Sequence, residues 1–197
     1  MDAWLEPVTL EGDVVRLEPM MLDHVDGLTA VVDPSVFTWM LVAPTDRDGV
    51  RAYVDAALAN RDAGLEVPWV TVERASGRPI GSTRFLTIAP EHRRLEIGWT
   101  WIAPAWQRSA VNSEAKLLQL ERAFDVLGAR RVEFKTDARN ERSRAALLGI
   151  GATFEGILRA HMVTRDDGRR DSAYYSILDH EWPAVRKRLR TRLGRAG

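Results

Sequence analysis

The sequence predicts an α+β fold, in which a mixed, mostly antiparallel sheet of seven strands carries helices on both faces. Three observations lead to this prediction. Segments of strand-like and helix-like hydrophobic periodicity follow one another in the order β-α-α-β-β-β-α-β-α-β-β-α. Short turns join the middle strands, so these strands should pair antiparallel. The strand–helix–strand unit over residues 94–136 instead requires a parallel pair with a right-handed crossover.

The composition limits the functional classes. The 197 residues fit one domain, spanning 1–197, and 28 basic side chains balance 28 acidic ones, so charge predicts no nucleic-acid or membrane partner. There is no cysteine, which excludes disulfides, thiolate metal sites and a cysteine nucleophile. The histidines are scattered without the spacing of metal ligands, so no metal is expected. The chain has no leader-like start and no apolar run of ~18 residues, which favours a cytoplasmic protein.

The first half of the chain is predicted to form one strand, two helices and three more strands. The opening strand alternates until Pro19 interrupts it. Apolar side chains recur at helical spacing before Gly64, which provides a stop signal. The turn at 76–79 separates two strand-like segments, so these should form a hairpin. In order, the predicted elements are a strand at 14–19, helices at 21–32 and 47–63, and strands at 67–73, 80–88 and 94–102.

The second half begins with the clearest helix, at 113–127. Its leucines share one face, and Gly128 follows as a C-terminal stop. Asn140 can cap the next helix through its side chain. The later elements are a strand at 131–136, a helix from Asn140 to Leu148, strands at 153–164 and 172–178 around a turn at 166–168, and a basic helix from about Glu181.

The segment 99–116 carries the strongest indication of chemistry. A strand runs into a loop of small and polar residues, which opens the helix at 113–127. The first amides of a helix lack internal partners and carry partial positive charge, so they suit a phosphate or diphosphate. Arg108 can add a charge-assisted hydrogen bond, and small side chains at Ser109 and Ala110 let the backbone approach the anion. The alternative is an ordinary strand-to-helix turn capped by Asn112.

The run Gln107-Arg108-Ser109-Ala110-Val111-Asn112 resembles the pyrophosphate loop of GNAT acetyltransferases, Q/R-x-x-G-x-G/A. Ala110 stands at the first glycine and Asn112 at the second small residue, so both depart from the pattern. The wider sequence resembles the ribosomal-protein-acetyltransferase, or RimJ/RimL-like, branch of this family. The stretches that carry this resemblance are 95–101, 112–118, 131–137, 140–144 and 151–159.

The resemblance implies a GNAT fold, acetyl-CoA as co-substrate, and direct transfer of the acyl group to a primary amine. The acceptors of this branch include protein N-termini, amino acids, antibiotics and other small amines. It also implies a homodimer. The residues expected to hold the coenzyme are Thr100, Trp101, Ile102, Gln107, Arg108, Ser109, Ala110, Val111, Asn112, Asn140 and Ser143.

Three side chains are catalytic candidates. Glu96 lies on the strand that would meet the thioester and is the first candidate for the general base, directly or through water. Its alternative role is to face solvent or to pair with Arg84 or Arg94. Ser143 is a candidate acid, because a leucine stands where many family members place a tyrosine; water, or no acid at all, is the alternative. His161 is a second candidate base, with a structural role as the alternative.

The acceptor is predicted to meet Trp39, Trp69, Arg84 and Trp99. Trp39 is the first choice, because it lies in the loop between the first two helices, where the family forms its acceptor site. Core packing is the competing role for the tryptophans.

Other functional interpretations remain open. The altered loop and the missing tyrosine also fit a non-catalytic acyl-CoA-binding sensor or partner module. A larger acyl group, such as succinyl, is compatible with the same fold. The basic run at 186–192 offers a nucleic-acid contact, although a solvated helix face explains it better.

Overall fold

The computed structural model describes residues 3–194. The strands are β1 (Leu10–Glu11), β2 (Val15–Pro19), β3 (Glu66–Glu73), β4 (Pro79–Ala89), β5 (Arg94–Ile102), β6 (Arg131–Asp137), β7 (Thr153–Val163) and β8 (Arg169–Leu178). The α-helices are α1 (Val25–Thr29), α2 (Arg47–Asp62), α3 (Val111–Glu121), α4 (Glu141–Ile150) and α5 (Trp182–Arg192).

The strands form one sheet in the order β1-β2-β3-β4-β5-β6-β8-β7. Every neighbouring pair is antiparallel except β5 and β6, which run parallel as the crossover unit predicted. The predicted count of seven strands is wrong by one within the described residues. The additional strand, Leu10–Glu11, pairs with Leu17 and Arg16 at the sheet edge, and two residues are too few to show a periodicity.

Helices cover both faces of the sheet, as predicted. One apolar core lies beneath α3, α4 and α5, and the other beneath α1 and α2. Strand β3 shows the division, because Val67 and Trp69 point into the first core while Val70 and Val72 point into the second. None of the helices in residues 3–194 combines the length and the apolarity needed to cross a membrane.

Helix α3 begins two residues earlier than predicted, so the proposed cap at Asn112 is wrong. Asn112 lies inside the first turn, and Ala110 occupies the cap position without a side-chain hydrogen bond. The helix is anchored instead by Glu114, whose buried carboxylate accepts hydrogen bonds from the main-chain N–H groups of Asp13, Val14 and Val15. The predicted cap of α4 is confirmed, because Asn140 Oδ1 accepts a hydrogen bond from the Ser143 N–H at 3.1 Å.

The parallel strands part soon after they meet. They pair only from Arg94 to Glu96 on β5, opposite 131–133 on β6. Beyond this point β5 contains a bulge. Ser82 pairs with Trp101 and Arg84 pairs with Gly98, so two residue steps on β4 correspond to three on β5. Trp99 lies at this bulge with a left-handed φ of 52°. The two strands therefore diverge and leave an opening between their ends.

Candidate active site

A cleft of about 620 Å³ occupies this opening. Its walls come from the diverging ends of β5 and β6, the start of α3, helix α4 and the loop before α2. It brings together most of the predicted site residues. Those that line it are Trp39, Glu96, Trp99, Thr100, Trp101, Ile102, Gln107, Arg108, Ser109, Asn112, Asn140 and Ser143.

The loop before α3 presents unused main-chain donors. Arg108 has a left-handed φ of 58°, which turns the chain into the helix. Within residues 3–194, the N–H groups of Arg108, Ser109, Ala110, Asn112 and Ser113 donate to no protein acceptor. These donors lie at the positive end of the α3 dipole. Donors arranged in this way suit a phosphate or diphosphate.

Gln107 fixes this loop in place. Its Nε2 donates to the Ile102 carbonyl at 2.8 Å, and its Oε1 accepts from Arg142 Nη1 at 2.8 Å. Gln107 is thus a link between the end of β5 and helix α4. Arg142 and Arg192 line the cleft together with Arg108 and make its mouth basic. Neither Arg142 nor Arg192 was predicted, because an arginine on a helix most often faces solvent.

Two members of the predicted loop do not line the cleft with their side chains. Val111 is 2% exposed and packs in the core beneath α3. Ala110 is not among the lining residues, although its N–H group has no protein acceptor within residues 3–194. The side chains of the loop therefore differ in whether they reach the cleft. A ligand that binds the loop as a whole would do so through its main chain.

Glu96 lies in the cleft wall and is 2% exposed. Its Oε2 accepts from Lys135 Nζ at 3.1 Å, so neither expected partner, Arg84 or Arg94, is the one it uses. Burial raises the pKa of Glu96, while the Lys135 ammonium acts in the opposite direction and Glu133 adds to the rise. A carboxylate with a raised pKa is suited to accept a proton near neutral pH.

His161 is exposed on β7 and does not line the cleft. Its Nδ1 lies 3.1 Å from Ser172 Oγ, and its ring meets the edge of Tyr174. Partial burial, together with Lys135 and Arg170, lowers the pKa of His161. The imidazole therefore lies on the strand surface, outside the lining of the cleft. Ser143, by contrast, lines the cleft at the start of α4.

Trp69 and Arg84 do not line the cleft, which corrects their prediction as acceptor contacts. Trp69 is 1% exposed in the core, where its Nε1 donates to the Val8 carbonyl at 2.8 Å. Arg84 is 3% exposed and donates to Glu66 at 2.7 Å. Its guanidinium is 4.6 Å from the Tyr53 ring centroid and 4.9 Å from that of Trp99. Both side chains are buried because β3 and β4 lie in the middle of the covered sheet.

Lys116 is a buried cation on the cleft wall that the sequence did not indicate. Its Nζ donates to Thr100 Oγ1 at 2.9 Å and to Gln119 Oε1 at 3.0 Å. No carboxylate within the described residues lies within ion-pairing distance. Burial lowers the pKa of Lys116 to about 7.

A second cavity of about 480 Å³ adjoins the cleft. Its lining comes from the loop 38–41, the end of β6 and the turn between β7 and β8. The two cavities share Trp39, Met40, Leu41 and Arg170. Arg170 was missed because the strand was predicted to begin at 172, whereas β8 begins at Arg169.

A family model described as an acetyltransferase (GNAT) domain matches residues 15–153, which is more than half of the chain. The chain belongs to the GNAT acetyltransferase family. The predicted GNAT fold and the predicted acyltransferase class are therefore confirmed. The family match includes the parting strands and the loop before α3, which together supply much of the lining of the cleft.

Individual relatives agree with this assignment. The chain is similar to an uncharacterized N-acetyltransferase, YoaA, of Bacillus subtilis (strain 168), with 32% identity over 123 residues that cover 62% of this chain and 67% of the relative. A crystal structure of a GCN5-related N-acetyltransferase from Brucella melitensis has a TM-score of 0.88 and 33% identity, covering 94% of this chain and 85% of that one.

Mycobacterium smegmatis RimJ, solved in complex with CoA-disulfide, has a TM-score of 0.80 and 19% identity, with 97% of both chains covered. At this identity the likeness concerns the fold. It agrees, at that level, with the RimJ/RimL-like resemblance of the sequence.

Proposed function

We propose that this GNAT enzyme binds acetyl-CoA in the 620 Å³ cleft and transfers the acetyl group directly to a primary amine. One observation carries the proposal: unbonded main-chain donors at the start of α3 open onto the same cleft that Glu96 lines. The donors fit the anionic diphosphate of the coenzyme, and the carboxylate fits the proton that the amine must lose.

The residues present fit the coenzyme along its length. The diphosphate is proposed to accept hydrogen bonds from the loop at 108–113, with Arg108 and Arg142 adding charge. The amide-bearing arm is proposed to lie between the parted strands. There, Thr100, Trp101 and Ile102 lie beyond the last residue that β5 pairs with β6. Their main chain can pair with the arm as an additional strand would.

Acetyl-CoA supplies a thioester carbonyl, at which the amine nitrogen forms a bond to carbon while the carbon–sulfur bond breaks. Glu96 is proposed to take the amine proton, directly or through a water molecule. Lys135 stabilises the ionised form of Glu96, which is the form that accepts the proton. The departing thiolate is a stable anion. It takes a proton from Ser143 or from water, or it leaves without any proton donor.

Titration with coenzyme A tests the loop assignment. We expect the wild-type chain to bind, and Ala110→Glu to lose at least about a hundredfold in affinity, because a carboxylate among the loop donors repels the diphosphate. Ala56→Glu on the exposed face of α2 adds the same charge away from the cleft and should bind like wild type. Unchanged affinity in Ala110→Glu would contradict the assignment.

A thiol-release assay with acetyl-CoA and a panel of amines tests catalysis. Release with at least one amine is expected. Tight coenzyme binding with no release over the whole panel would favour the acyl-CoA-binding module instead. Faster release from succinyl-CoA than from acetyl-CoA would favour the larger acyl group.

We also infer a homodimer that acts in the cytoplasm, where acyl-CoA is available. The strand β7, at one end of the sheet, supports the dimer because Phe154, Ile157 and Leu158 are all more than 40% exposed on it. Apolar side chains on an edge strand favour contact with another chain. Light scattering after size exclusion measures the mass, and Ile157→Lys should shift it to that of a monomer.

A further inference from the structure

Arg170 is a buried guanidinium with unused hydrogen-bonding capacity. It is 7% exposed and lines both cavities where they join. Its Nη1 donates to the Trp39 carbonyl at 3.3 Å, whereas Nε has no hydrogen-bond partner within residues 3–194. Among the described residues, no carboxylate lies within 4.0 Å of Arg170. Its nearby acid, Asp137, is already engaged by Arg139 at 2.9 Å.

This arrangement is costly for the protein alone. A buried charge without a paired counter-ion loses hydration that the interior does not replace. Burial lowers the pKa of Arg170, although Asp137 and Glu96 oppose that effect from a distance. The Trp39 carbonyl occupies Nη1, so the edge formed by Nε and Nη2 is the one left for a ligand. That edge matches the two oxygens of a carboxylate.

We propose that Arg170 binds a carboxylate of the acceptor, so that the enzyme acetylates amino acids or similar small amines that carry an acidic group. This inference rests on the proposed function, because it names the substrate of the same cleft. Arg170 and Glu96 both line that cleft, so a zwitterionic acceptor meets a cation at its acidic end and a carboxylate at its amino end. The Trp39 ring, held 5.0 Å from the Arg139 guanidinium, supplies an adjoining wall.

Paired acceptors test the proposal. Alanine and alaninamide differ only in the carboxylate, and kcat/KM for each is measured by thiol release with acetyl-CoA. We expect wild type to favour alanine by at least about tenfold, since a charge-assisted pair in a buried site gives this much discrimination. The amide has the more readily deprotonated amine, so intrinsic reactivity works against this result.

Three variants assign the preference to Arg170. Arg170→Gln should remove it, and Arg170→Lys should retain part of it, because an ammonium keeps the charge and loses the planar fork. Arg169→Gln, at the exposed neighbouring position, should keep the full preference. All variants should bind coenzyme A as wild type does, which also shows that they fold. Equal use of both acceptors by wild type, or an unchanged preference in Arg170→Gln, would overturn the proposal.

A binding experiment separates this inference from the proposed catalysis. Calorimetry measures N-acetylalanine and its amide against the coenzyme-saturated protein, and it needs no turnover. Carboxylate-dependent binding that Arg170→Gln loses would support the site even if no amine released thiol. Equal binding of the two compounds to wild type would reject the site even if the enzyme proved active.

Discussion

Replacing Lys116 with methionine tests whether burial governs the charge of this amine. The side chain is 4% exposed, and its partners Thr83, Thr100 and Gln119 are all neutral. Methionine has similar length and no charge. The replacement therefore removes the titrating group while filling much of the same space.

The size and sign of the effect follow from the pKa of Lys116, which burial lowers to about 7. In the unfolded chain a lysine has a pKa of about 10.4. Between these values the unfolded chain binds one proton more than the folded chain, so the free energy of unfolding rises with pH. The slope is about 1.4 kcal/mol per pH unit, which gives about 2 kcal/mol from pH 7 to pH 9. Below pH 7 both states bind the proton and the slope vanishes.

Urea unfolding followed by tryptophan fluorescence measures this effect. The free energy of unfolding of wild type, minus that of Lys116→Met, should rise by about 2 kcal/mol between pH 7 and pH 9. Other titrating groups cancel in this difference. Lys187→Met, at an exposed position on α5, should show no such change. A difference that stays constant across this pH range would refute the reasoning.

Three further predictions concern Glu96, Glu114 and Arg142. Glu96→Gln should lower kcat/KM by at least about a hundredfold with unchanged coenzyme affinity. Wild-type activity should fall as the pH drops through the raised pKa of Glu96, and the variant should not show this fall. Glu114→Gln should lower the free energy of unfolding by about 3 kcal/mol in urea titrations, because an amide cannot accept from all its N–H partners; Glu121→Gln, at a partly exposed pair, should cost less than about 1 kcal/mol. Arg142→Gln should weaken calorimetric coenzyme binding by about tenfold, whereas the exposed Arg47→Gln should not.

Hydrophobic periodicity predicted the elements well because burial of one face leaves a regular trace in the sequence. Helix α2 was predicted at 47–63 and spans Arg47–Asp62, and the parallel pair followed from a strand–helix–strand unit. The loop at 107–112 was recognisable because its residues are consecutive. Its side-chain arrangement was not, since Val111 turns into the core while Arg108 turns toward the cleft.

Buried charges were the main source of error in the predicted site. A periodicity argument assigns lysine and arginine to solvent, so Lys116 and Arg170 were overlooked although both line the cleft. Arg84 was noticed but assigned to the acceptor, whereas it is enclosed by aromatic rings. In each case the surroundings come from elements far apart in the chain. No local pattern records such surroundings, and only the assembled sheet and helices define them.

The burial of Arg84 explains how helix α2 contributes to the cleft. The cleft exists because β5 bulges at Trp99 and diverges from β6. The Trp99 ring rests on the Arg84 guanidinium. Arg84 is held in turn by Glu66 on β3 and by the Tyr53 ring on α2. A cation enclosed between two aromatic faces is stabilised more strongly when it is desolvated. Arg84 therefore supports the parted strand at the bulge and does not itself line the cleft.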